Sequence, residues 1–368
     1  MKLCIAGKNS IAIEAAKYAL DFFDKESIYI ITNKTDRGED TFQPSLLKFA
    51  RTDKYNAISL EDAYDFDDML FLSLEYDRLL KPELFRSRNL FNIHFSLLPK
   101  YKGMYTSYWP LINGEKESGV TLHRIESGID TGNIISQISF AIDERMTAKQ
   151  LYLKYMEKGI QLIKSNFANL INSNYTETEQ GYKESSYYSK QSIDYGNIKI
   201  DLNQTAVNIK NQVRALNFRD YQLAKINGKP VVHVNILNEK SVMKPGILLM
   251  EDEWSFKYST VDYNVVIVKD LLDKVLEYCE TGNHLGLEKI ISFGYDMNDQ
   301  DTKGRTPLIA ACCNGNVETA AFLVESGADV NKSDYTGITP LIYAEDYCIR
   351  SHRQDKLAEF RSILGKEI

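Results

Sequence analysis

The last hundred residues contain a sequence repeat with a period of 33 residues, and this feature restricts the fold more than any other. The motif Asp-x-x-Gly-x-Thr-Pro-Leu begins at Asp301 and again at Asp334. The motif Gly-x-Asp-x-Asn begins at Gly294 and again at Gly327, with the same offset. A single unit of this length cannot bury its apolar face alone, so successive units must stack around a continuous core.

These motifs resemble the ankyrin repeat, in which Thr-Pro-Leu opens a pair of helices. Three units fit the segment, and the first and last are degenerate, as capping units tend to be. We therefore expect residues 268–368 to form an all-α ankyrin repeat tail.

The first 200 residues alternate strand-like apolar runs with segments of helical periodicity. This alternation is typical of a parallel α/β sheet. Ser10 is the predicted N-cap of the first helix, since its hydroxyl can accept from free backbone N–H groups. A single glycine, Gly7, follows the first strand, so the glycine fingerprint for NAD or FAD is missing. The predicted strands are 2–6, 28–32, 69–74 and 89–95, and the predicted helices are 11–23 and 45–50.

A change of pattern follows residue 181. Strand-like runs at 187–189 and 231–234 enclose a segment with helical spacing from Val207 to Leu216. We predict an α/β fold with a Rossmann-like core, a small α+β or all-β accessory region and the all-α tail. The predicted domains are the α/β domain at 1–200, an accessory domain for substrate or dimer contacts at 201–267, and the repeats at 268–368.

Charge and cysteine usage exclude several classes of function. A net charge of -7 argues against a nucleic-acid partner, because phosphate binding requires a surplus of Lys and Arg. The five cysteines show no CxxC motif and no paired spacing with histidine, so we expect no metal site and no disulfides. No stretch approaches the ~20 apolar residues that span a bilayer. We therefore expect a cytoplasmic protein with no membrane partner.

Three polar residues form the candidate catalytic group. Asn92 and His94 are two residues apart at the end of a strand-like run, which places both side chains on one face of the sheet. Ligands of open α/β sheets bind beyond the carboxyl ends of strands. Asp130 lies between Gly128 and Gly132, in a turn that can present its carboxylate inward. Each residue alone has a structural explanation, but three of them in two ordered motifs indicate a site.

Residues 91–103 (FNIHFSLLPKYKG), 119–124 (GVTLHR) and the Asp130-x-Gly132 motif resemble the folate-dependent formyltransferase family. That family includes methionyl-tRNA, glycinamide ribonucleotide and sugar N-formyltransferases. Segments 187–190 and 214–222 resemble the sugar branch, and the ankyrin tail indicates the branch acting on dTDP-3-amino-3,6-dideoxyhexoses of the Qui3N or Fuc3N type.

The resemblance implies a homodimer that uses 10-formyltetrahydrofolate as cosubstrate and a dTDP-linked amino sugar as acceptor, for O-antigen and lipopolysaccharide sugar biosynthesis. Asn92 would donate to the oxyanion of the reaction. His94 would donate to that oxyanion if charged or accept the proton of the amine if neutral, and Asp130 would favour the imidazolium. The implied folate-binding residues are Tyr76, Asp77, Arg78, Leu79 and Ile129. The candidate substrate-binding residues are Lys8, Asn9, Ser10, Tyr105 and Tyr221.

Several alternatives stay open at this point. The tail either binds a protein partner or forms a second nucleotide-sugar site, at which Lys303 and Arg305 offer charge to a pyrophosphate. The rival functions are a methionyl-tRNA formyltransferase-like enzyme and an ankyrin scaffold with an inactive core. The sequence leaves open the gluco or galacto configuration of the sugar and the position of its amine.

Overall fold

A computed structural model describes residues 1–365 and divides the chain into two compact units. The first unit contains residues 1–198 and 214–218, and the second contains residues 199–213 and those from 219 onward. The second unit thus includes both regions that the sequence predicts as separate domains, and the three-domain division stays a prediction.

The first unit is built on a seven-stranded sheet with the order β3-β2-β1-β4-β5-β7-β8, and the short strands β6 and β9 pair in a separate two-stranded sheet. The strands are β1 (Lys2–Gly7), β2 (Ile28–Thr32), β3 (Asn56–Ala57), β4 (Met69–Leu74), β5 (Asn89–His94), β6 (Lys102–Gly103), β7 (Glu117–Arg124), β8 (Ile134–Ala141) and β9 (Tyr187–Tyr188).

The sheet is mixed, whereas the sequence predicted a parallel one. Strands β3, β2, β1, β4 and β5 are parallel, but β7 runs antiparallel to β5, and β8 runs antiparallel to β7. Residues 125–133 join β7 to β8 as a hairpin turn with no crossover helix, and such a connection produces antiparallel pairing. The strands predicted at 28–32 and 69–74 are confirmed residue for residue.

The helices of the first unit pack against this sheet. They are α1 (Asn9–Ala19), α2 (Leu46–Thr52), α3 (Leu60–Tyr64), α4 (Trp109–Ile112) and α5 (Ala148–Ile171). The prediction of Ser10 as N-cap of the first helix was wrong, because Lys8 occupies that position with an extended backbone. Asn9 has a left-handed backbone (φ 70°), and its own side-chain oxygen accepts the amide N–H of Ser10 at 2.6 Å.

The second unit contains a five-stranded antiparallel sheet with the order β10-β11-β14-β13-β12. Its strands are β10 (Ala224–Ile226), β11 (Lys229–Lys240), β12 (Leu248–Glu251), β13 (Ser255–Tyr258) and β14 (Tyr263–Lys269). The predicted helical segment after Val207 is α6 (Ala206–Leu216), which contributes residues to both units.

In the repeat region as described up to residue 365, the chain forms six helices in three pairs, which confirms the predicted ankyrin tail. They are α7 (Leu272–Thr281), α8 (His284–Ser292), α9 (Pro307–Cys313), α10 (Val317–Glu325), α11 (Pro340–Arg350) and α12 (Gln354–Leu364). The two copies of the repeat motif share the same turn. Oδ1 of Asp301 accepts the amides of Lys303 and Arg305, and Oδ1 of Asp334 accepts the equivalent pair in the next unit.

The repeat helices and the five-stranded sheet share one hydrophobic core. Val232 and Val268 of the sheet and Trp254 of the turn before β13 belong to the same buried cluster as Val275 and Leu287 of the first helix pair. The fold class predicted from the sequence, a Rossmann-like α/β core with a small accessory region and an α-helical repeat tail, is therefore confirmed. None of the helices in residues 1–365 is long and apolar enough to cross a membrane.

Candidate active site

Asn92 and His123 lie opposite each other on neighbouring antiparallel strands. Asn92 of β5 pairs with His123 of β7 in the sheet register, and Nδ2 of Asn92 lies 3.0 Å from Nε2 of His123. Nδ1 of His123 lies 2.7 Å from the carbonyl oxygen of Arg124, which can only accept. Nδ1 therefore carries the proton, and Nε2 accepts a hydrogen bond from the amide of Asn92. This bond fixes the orientation of the Asn92 amide, with its NH2 group directed toward His123.

His94 is held between two hydrogen-bond acceptors. Its Nε2 lies 2.8 Å from the carbonyl oxygen of Tyr101, and its Nδ1 lies 3.4 Å from Oδ2 of Asp130. The ring is 7% exposed, so solvent does not supply other partners. The doubly protonated, positively charged ring satisfies both acceptors, whereas either neutral tautomer leaves one of them facing a lone pair.

Asp130 is fixed by its backbone as well as by its side chain. It has a left-handed conformation (φ 54°), and its carboxylate accepts the amide of Gly103 at 2.8 Å. Burial alone would raise the pKa of this carboxyl, but the interaction with His94 and the hydrogen bond from the Gly103 amide lower the pKa below its ordinary value. The side chain is therefore a stable anion at neutral pH and a poor base.

The loop from residue 96 to 103 is attached to β7 by hydrogen bonds. The hydroxyl of Thr121 donates to the carbonyl of Ser96 and accepts the amide of Leu98. Gly103 has φ 89°, and a Cβ at this position would lie 2.3 Å from the carbonyl oxygen of Tyr188, so only glycine fits. The loop thus brings the Gly103 amide and the Tyr101 carbonyl to the catalytic group.

The three predicted catalytic residues therefore converge at the carboxyl end of β5. The site offers an amide donor at Asn92, the imidazole of His94 between a backbone carbonyl and a carboxylate, and an anion at Asp130. Such an arrangement stabilises negative charge that develops on an oxygen atom during acyl transfer.

The predicted folate-binding residues lie on two loops of the first unit. Asp77 donates its backbone amide to Oδ1 of Asn33, and Arg78 forms an ion pair with Glu61 at 2.8 Å. Leu79 and Ile129 are apolar residues with 68% and 39% of their surface exposed. Tyr76 is half-buried, and burial raises the pKa of its phenol.

The candidate substrate residues of the first unit lie at the ends of β1 and β6. Lys8 donates to the side chain of Gln43, and Asn9 is 3% exposed and bonds the hydroxyl of Tyr152 at 2.7 Å. Ser10 is in the first turn of α1. Tyr105 has a left-handed backbone (φ 63°), and its hydroxyl donates to the carbonyl of Lys190.

The other three candidate substrate residues belong to the second unit. Tyr221 is 57% exposed. Lys303 lies in the repeat turn and donates its amide to Asp301. The guanidinium of Arg305 bonds Asp301 at 2.8 Å and lies 3.4 Å from Glu280. Two carboxylates thus already neutralise the charge of Arg305.

Sequence reasoning assigned no role to two residues that support the catalytic group. His123 belongs to the 119–124 motif, but which residue of β5 it contacts depends on the strand register. Gln180 donates its amide to the backbone carbonyls of Asp130 and Gly132, at 2.9 and 2.7 Å, and so fixes the turn. No signal within the sequence connects Gln180 to a turn 50 residues earlier.

Comparison with family models identifies both parts of the chain. Residues 28–166 match the formyl transferase family, and residues 276–354 match ankyrin repeats. The first match contains Asn92, His94 and Asp130, and the second contains α8 to α11 and part of α7.

Two solved structures resemble the chain at more than 40% identity. The sugar 3N-formyl transferase WlaRD, solved in the presence of dTDP and 5-N-formyl-THF, is 42% identical, with a TM-score of 0.69. The match covers 73% of this chain and 97% of WlaRD. The N-formyltransferase from Helicobacter canadensis, in complex with folinic acid and dTDP-3-aminofucose, is 43% identical, with the same TM-score. That match covers 73% of this chain and 100% of the other.

Methionyl-tRNA formyltransferases are more distant relatives. The enzyme of Clostridioides difficile (strain 630) is 32% identical over 182 residues, which are 49% of this chain and 58% of that enzyme. The chain therefore spans little more than half the length of this curated relative.

Proposed function

Because the chain belongs to the sugar N-formyltransferase family, we propose that it transfers the formyl group of 10-formyltetrahydrofolate to the amine of a dTDP-linked 3-amino-3,6-dideoxyhexose. One observation carries the proposal: Asn92, His94 and Asp130 converge at the carboxyl end of β5 in the segment that matches the formyl transferase family. The ligands of the two solved relatives support the folate cosubstrate and the dTDP-linked acceptor.

In the proposed reaction the amine nitrogen attacks the formyl carbon and the formyl oxygen becomes an oxyanion. Asn92 directs one amide N–H to His123, and its other N–H donates to this oxyanion, a role worth ~10²–10³ in rate. The imidazolium of His94 adds positive charge beside the oxyanion, and Asp130 maintains that charge. The bond between the formyl carbon and folate N10 then breaks, and N10 leaves with a proton.

The folate slot is proposed between the loop after β4 and the turn before Asp130. Leu79 and Ile129 expose apolar surface there, which suits the flat ring of a pterin. The backbone of Tyr76, Asp77 and Arg78 would supply the polar contacts.

The acceptor is proposed to meet the residues that follow β1. Lys8 and Ser10 are proposed to offer a cation and a hydroxyl to the sugar or pyrophosphate, and the buried Asn9 is proposed to hold the start of α1 in place beside them. Tyr105 is proposed to contact the sugar, and Tyr221 to stack on the thymine ring. We propose a role in O-antigen and lipopolysaccharide sugar synthesis, and a cytoplasmic location that suits five free thiols.

We propose a homodimer that forms through the second unit. All four residues of the edge strand β12 are exposed, and Leu248, Leu249 and Met250 have 42%, 37% and 49% of their surface accessible. An exposed apolar edge strand can pair with its copy. Sedimentation of the wild type and Met250→Lys tests this point, because a lysine on the edge would turn a dimer into a monomer.

The repeat region has two proposed partners, a protein or a second nucleotide-sugar. Its hairpin turns carry Lys303 and Arg305, but the guanidinium of Arg305 is already paired with Asp301. Calorimetric titration with dTDP separates the two: a second binding event that Arg305→Ala removes supports the nucleotide site.

A second candidate function is formylation of methionyl-tRNA, which the 32% identity with the Clostridioides difficile enzyme favours. The net charge of -7 opposes it, since tRNA binding needs a cationic surface. Complementation of a strain that lacks tRNA formylation distinguishes the two enzymes. A scaffold with an inactive core is the non-enzymatic alternative, and the intact catalytic group opposes it.

The function is tested by incubating the protein with 10-formyltetrahydrofolate and a panel of dTDP-3-amino and dTDP-4-amino sugars. The panel includes gluco and galacto configurations, and mass spectrometry detects products heavier by one formyl group. We expect product from a 3-amino sugar, loss of product with His94→Asn, and no loss with His352→Asn, whose histidine is exposed. Absence of product from every sugar with the wild type would overturn the proposal.

A further inference from the structure

Glu75 occupies the place in the first sheet where the strand order reverses. It follows Leu74, the last residue of β4, and β4 lies beside β1. From β1 the chain continues to β2 and β3 on one side of the sheet, whereas β4 and β5 lie on the other side. Ligands of open α/β sheets bind in the crevice that such a reversal leaves at the carboxyl ends of the strands.

The register of the sheet places Glu75 at the same end of the strands as the catalytic group. Ser73 pairs with Asn92, and Leu74 pairs with Ile93, so Glu75 comes one residue beyond this ladder, as His94 does on β5. Neighbouring strands lie about 4.8 Å apart. Glu75 has a left-handed backbone (φ 59°), which is uncommon for glutamate.

Among the described residues 1–365, one oxygen of the Glu75 carboxylate has hydrogen-bonding partners and the other has none. Oε2 accepts from the hydroxyl of Tyr152 at 2.6 Å and from the amide of Asn9 at 3.4 Å. The Tyr152 hydroxyl in turn accepts from Asn9 and from Gln43, both at 2.7 Å, so its single proton points to Glu75. Within residues 1–365, Oε1 of Glu75 has no hydrogen-bonding partner and is left for a ligand.

The surroundings of Glu75 suit a base. Burial raises the pKa of its carboxyl, while the charge of Lys8 and the hydrogen bonds from Tyr152 and Asn9 oppose part of that rise. A carboxylate with a raised pKa takes up a proton more readily near neutral pH than an ordinary one.

The catalytic group itself contains no group suited to take a proton from the acceptor amine. Both ring nitrogens of His94 face acceptors, so the ring is a donor. The pKa of Asp130 is lowered, and its carboxylate is occupied by His94 and the Gly103 amide. Amines of this kind are protonated near neutral pH, with an ordinary pKa of about 8. The proposed reaction therefore requires a base elsewhere in the crevice.

We propose that Glu75 is the catalytic carboxylate that binds the ammonium group of the acceptor and removes one proton from it before formyl transfer. This inference rests on the proposed function. The ammonium gives a proton to Oε1 of Glu75 and keeps the electron pair on nitrogen. That pair forms the new bond to the formyl carbon, the bond from this carbon to folate N10 breaks, and N10 takes a second proton from the former amine. Glu75 then returns its proton to solvent.

Tyr152 is the positioning residue for this carboxylate. Its hydroxyl occupies Oε2 and so turns Oε1 away from the Asn9 and Gln43 side chains. The hydrogen bond also lowers the pKa of Glu75, so its removal shifts the pH dependence of the reaction in a defined direction.

The test compares the pH dependence of kcat for the wild type, Glu75→Gln and Tyr152→Phe with the sugar that the wild type formylates. We expect Glu75→Gln to lower kcat at pH 7 by ~10²–10³, within the usual range for a lost general base. Its rate should recover as the pH rises through the pKa of the amine, because the neutral amine then needs no base. For Tyr152→Phe, the acidic limb of the profile should move to higher pH.

Three further measurements make the result decisive. Glu75→Asp, which retains a carboxylate and tolerates a left-handed backbone, should restore part of the activity. Glu14→Gln, which removes a carboxylate paired with Lys164 on the surface, should leave kcat unchanged. Folate binding and thermal unfolding of Glu75→Gln should match the wild type and so exclude misfolding.

Three outcomes would overturn the inference, and they separate its failure from the failure of the proposed function. If the wild type forms product and Glu75→Gln retains its kcat and its acidic limb, Glu75 is not the base and the proposed function stands. If the rate of Glu75→Gln is lowered by the same factor at every pH, Glu75 is again not the base and the proposed function stands. If the wild type formylates no sugar, the proposed function fails and this inference fails with it.

Discussion

The side-chain amide of Asn92 on β5 donates a hydrogen bond to Nε2 of His123 on β7, over 3.0 Å. His123 can accept this bond because its other nitrogen gives a proton to the backbone carbonyl of Arg124. The backbone of β7 therefore sets the tautomer of His123, and His123 sets the direction of the Asn92 amide. An oxyanion donor that is fixed in advance loses no energy to reorientation during the reaction.

Replacing His123 tests whether this bond orients Asn92. We expect His123→Ala to lower kcat by about 2- to 10-fold, the equivalent of one hydrogen bond. KM for both substrates should stay near the wild-type value, because the affected donor acts on the transition state. Steady-state kinetics measures both constants. A change in KM alone would show that His123 shapes a binding surface instead.

Replacing Asn92 tests the donor itself. Asn92→Ala should lower kcat by ~10²–10³, the usual cost of a lost oxyanion donor. Binding of folinic acid, measured by calorimetric titration, should be retained. Asn133→Ala, which removes an amide bonded to Glu177 on the surface, is the matched control. Retention of more than a tenth of wild-type kcat in Asn92→Ala would contradict the role.

Asp130 should make stability depend on pH in the acidic range. Its pKa is lower in the folded protein than the ordinary aspartate value of about 3.9, so the ionised form stabilises the fold above that pH. This contribution is lost as the pH falls through the folded-state pKa. Asp130→Asn should therefore be less stable than the wild type at pH 7, and the difference should shrink below about pH 4. Urea unfolding at several pH values measures it, and a difference that is independent of pH would be contrary evidence.

Arg219 joins the sheet and the repeats of the second unit by buried ion pairs. Its guanidinium lies 2.6 Å from Asp270 and 2.5 Å from Asp299, and both carboxylates are less than one-fifth exposed. Arg219→Ala leaves two buried charges unpaired and should destabilise the second unit by about 3–5 kcal/mol. Fluorescence of the buried Trp254 can follow unfolding of this unit.

An exposed ion pair provides the control for that experiment. Arg361 is 61% exposed and lies 2.8 Å from Glu345. Arg361→Ala should cost about 0–1 kcal/mol, because solvent screens such pairs. Equal losses from the two substitutions would show that the Arg219 pairs contribute no more than surface ones.

Gly7 allows the close approach of β1 and β4 beside the proposed substrate crevice. A Cβ at Gly7 would lie 1.9 Å from the carbonyl oxygen of Leu74. Gly7→Ala must push the strand ends apart and should cost about 1–3 kcal/mol of unfolding free energy. Gly181→Ala is the control, since no atom lies within 4 Å of the added carbon. Thermal or urea unfolding measures both, and equal stability of the two variants would disprove the contact.

Local features of this protein follow from the sequence alone. The strands at 28–32 and 69–74 are apolar runs with clear ends, and the repeat motif marks turns in which Asp301 and Asp334 bond amides only a few residues away. Asn92 and His94 share a face because side chains alternate along a strand. Interactions between residues this close in sequence depend only on a short segment of the chain, so a sequence pattern can reveal them.

The tertiary structure decided which distant residues meet. His123 lies 31 residues from Asn92, and Tyr152 lies 77 residues from Glu75. The first contact depends on the antiparallel register of β5 and β7, which the predicted parallel sheet did not contain. The second requires α5 to return across the ends of β1 and β4. Strand order and helix placement result from burying one shared core, and no segment of the chain carries that information by itself.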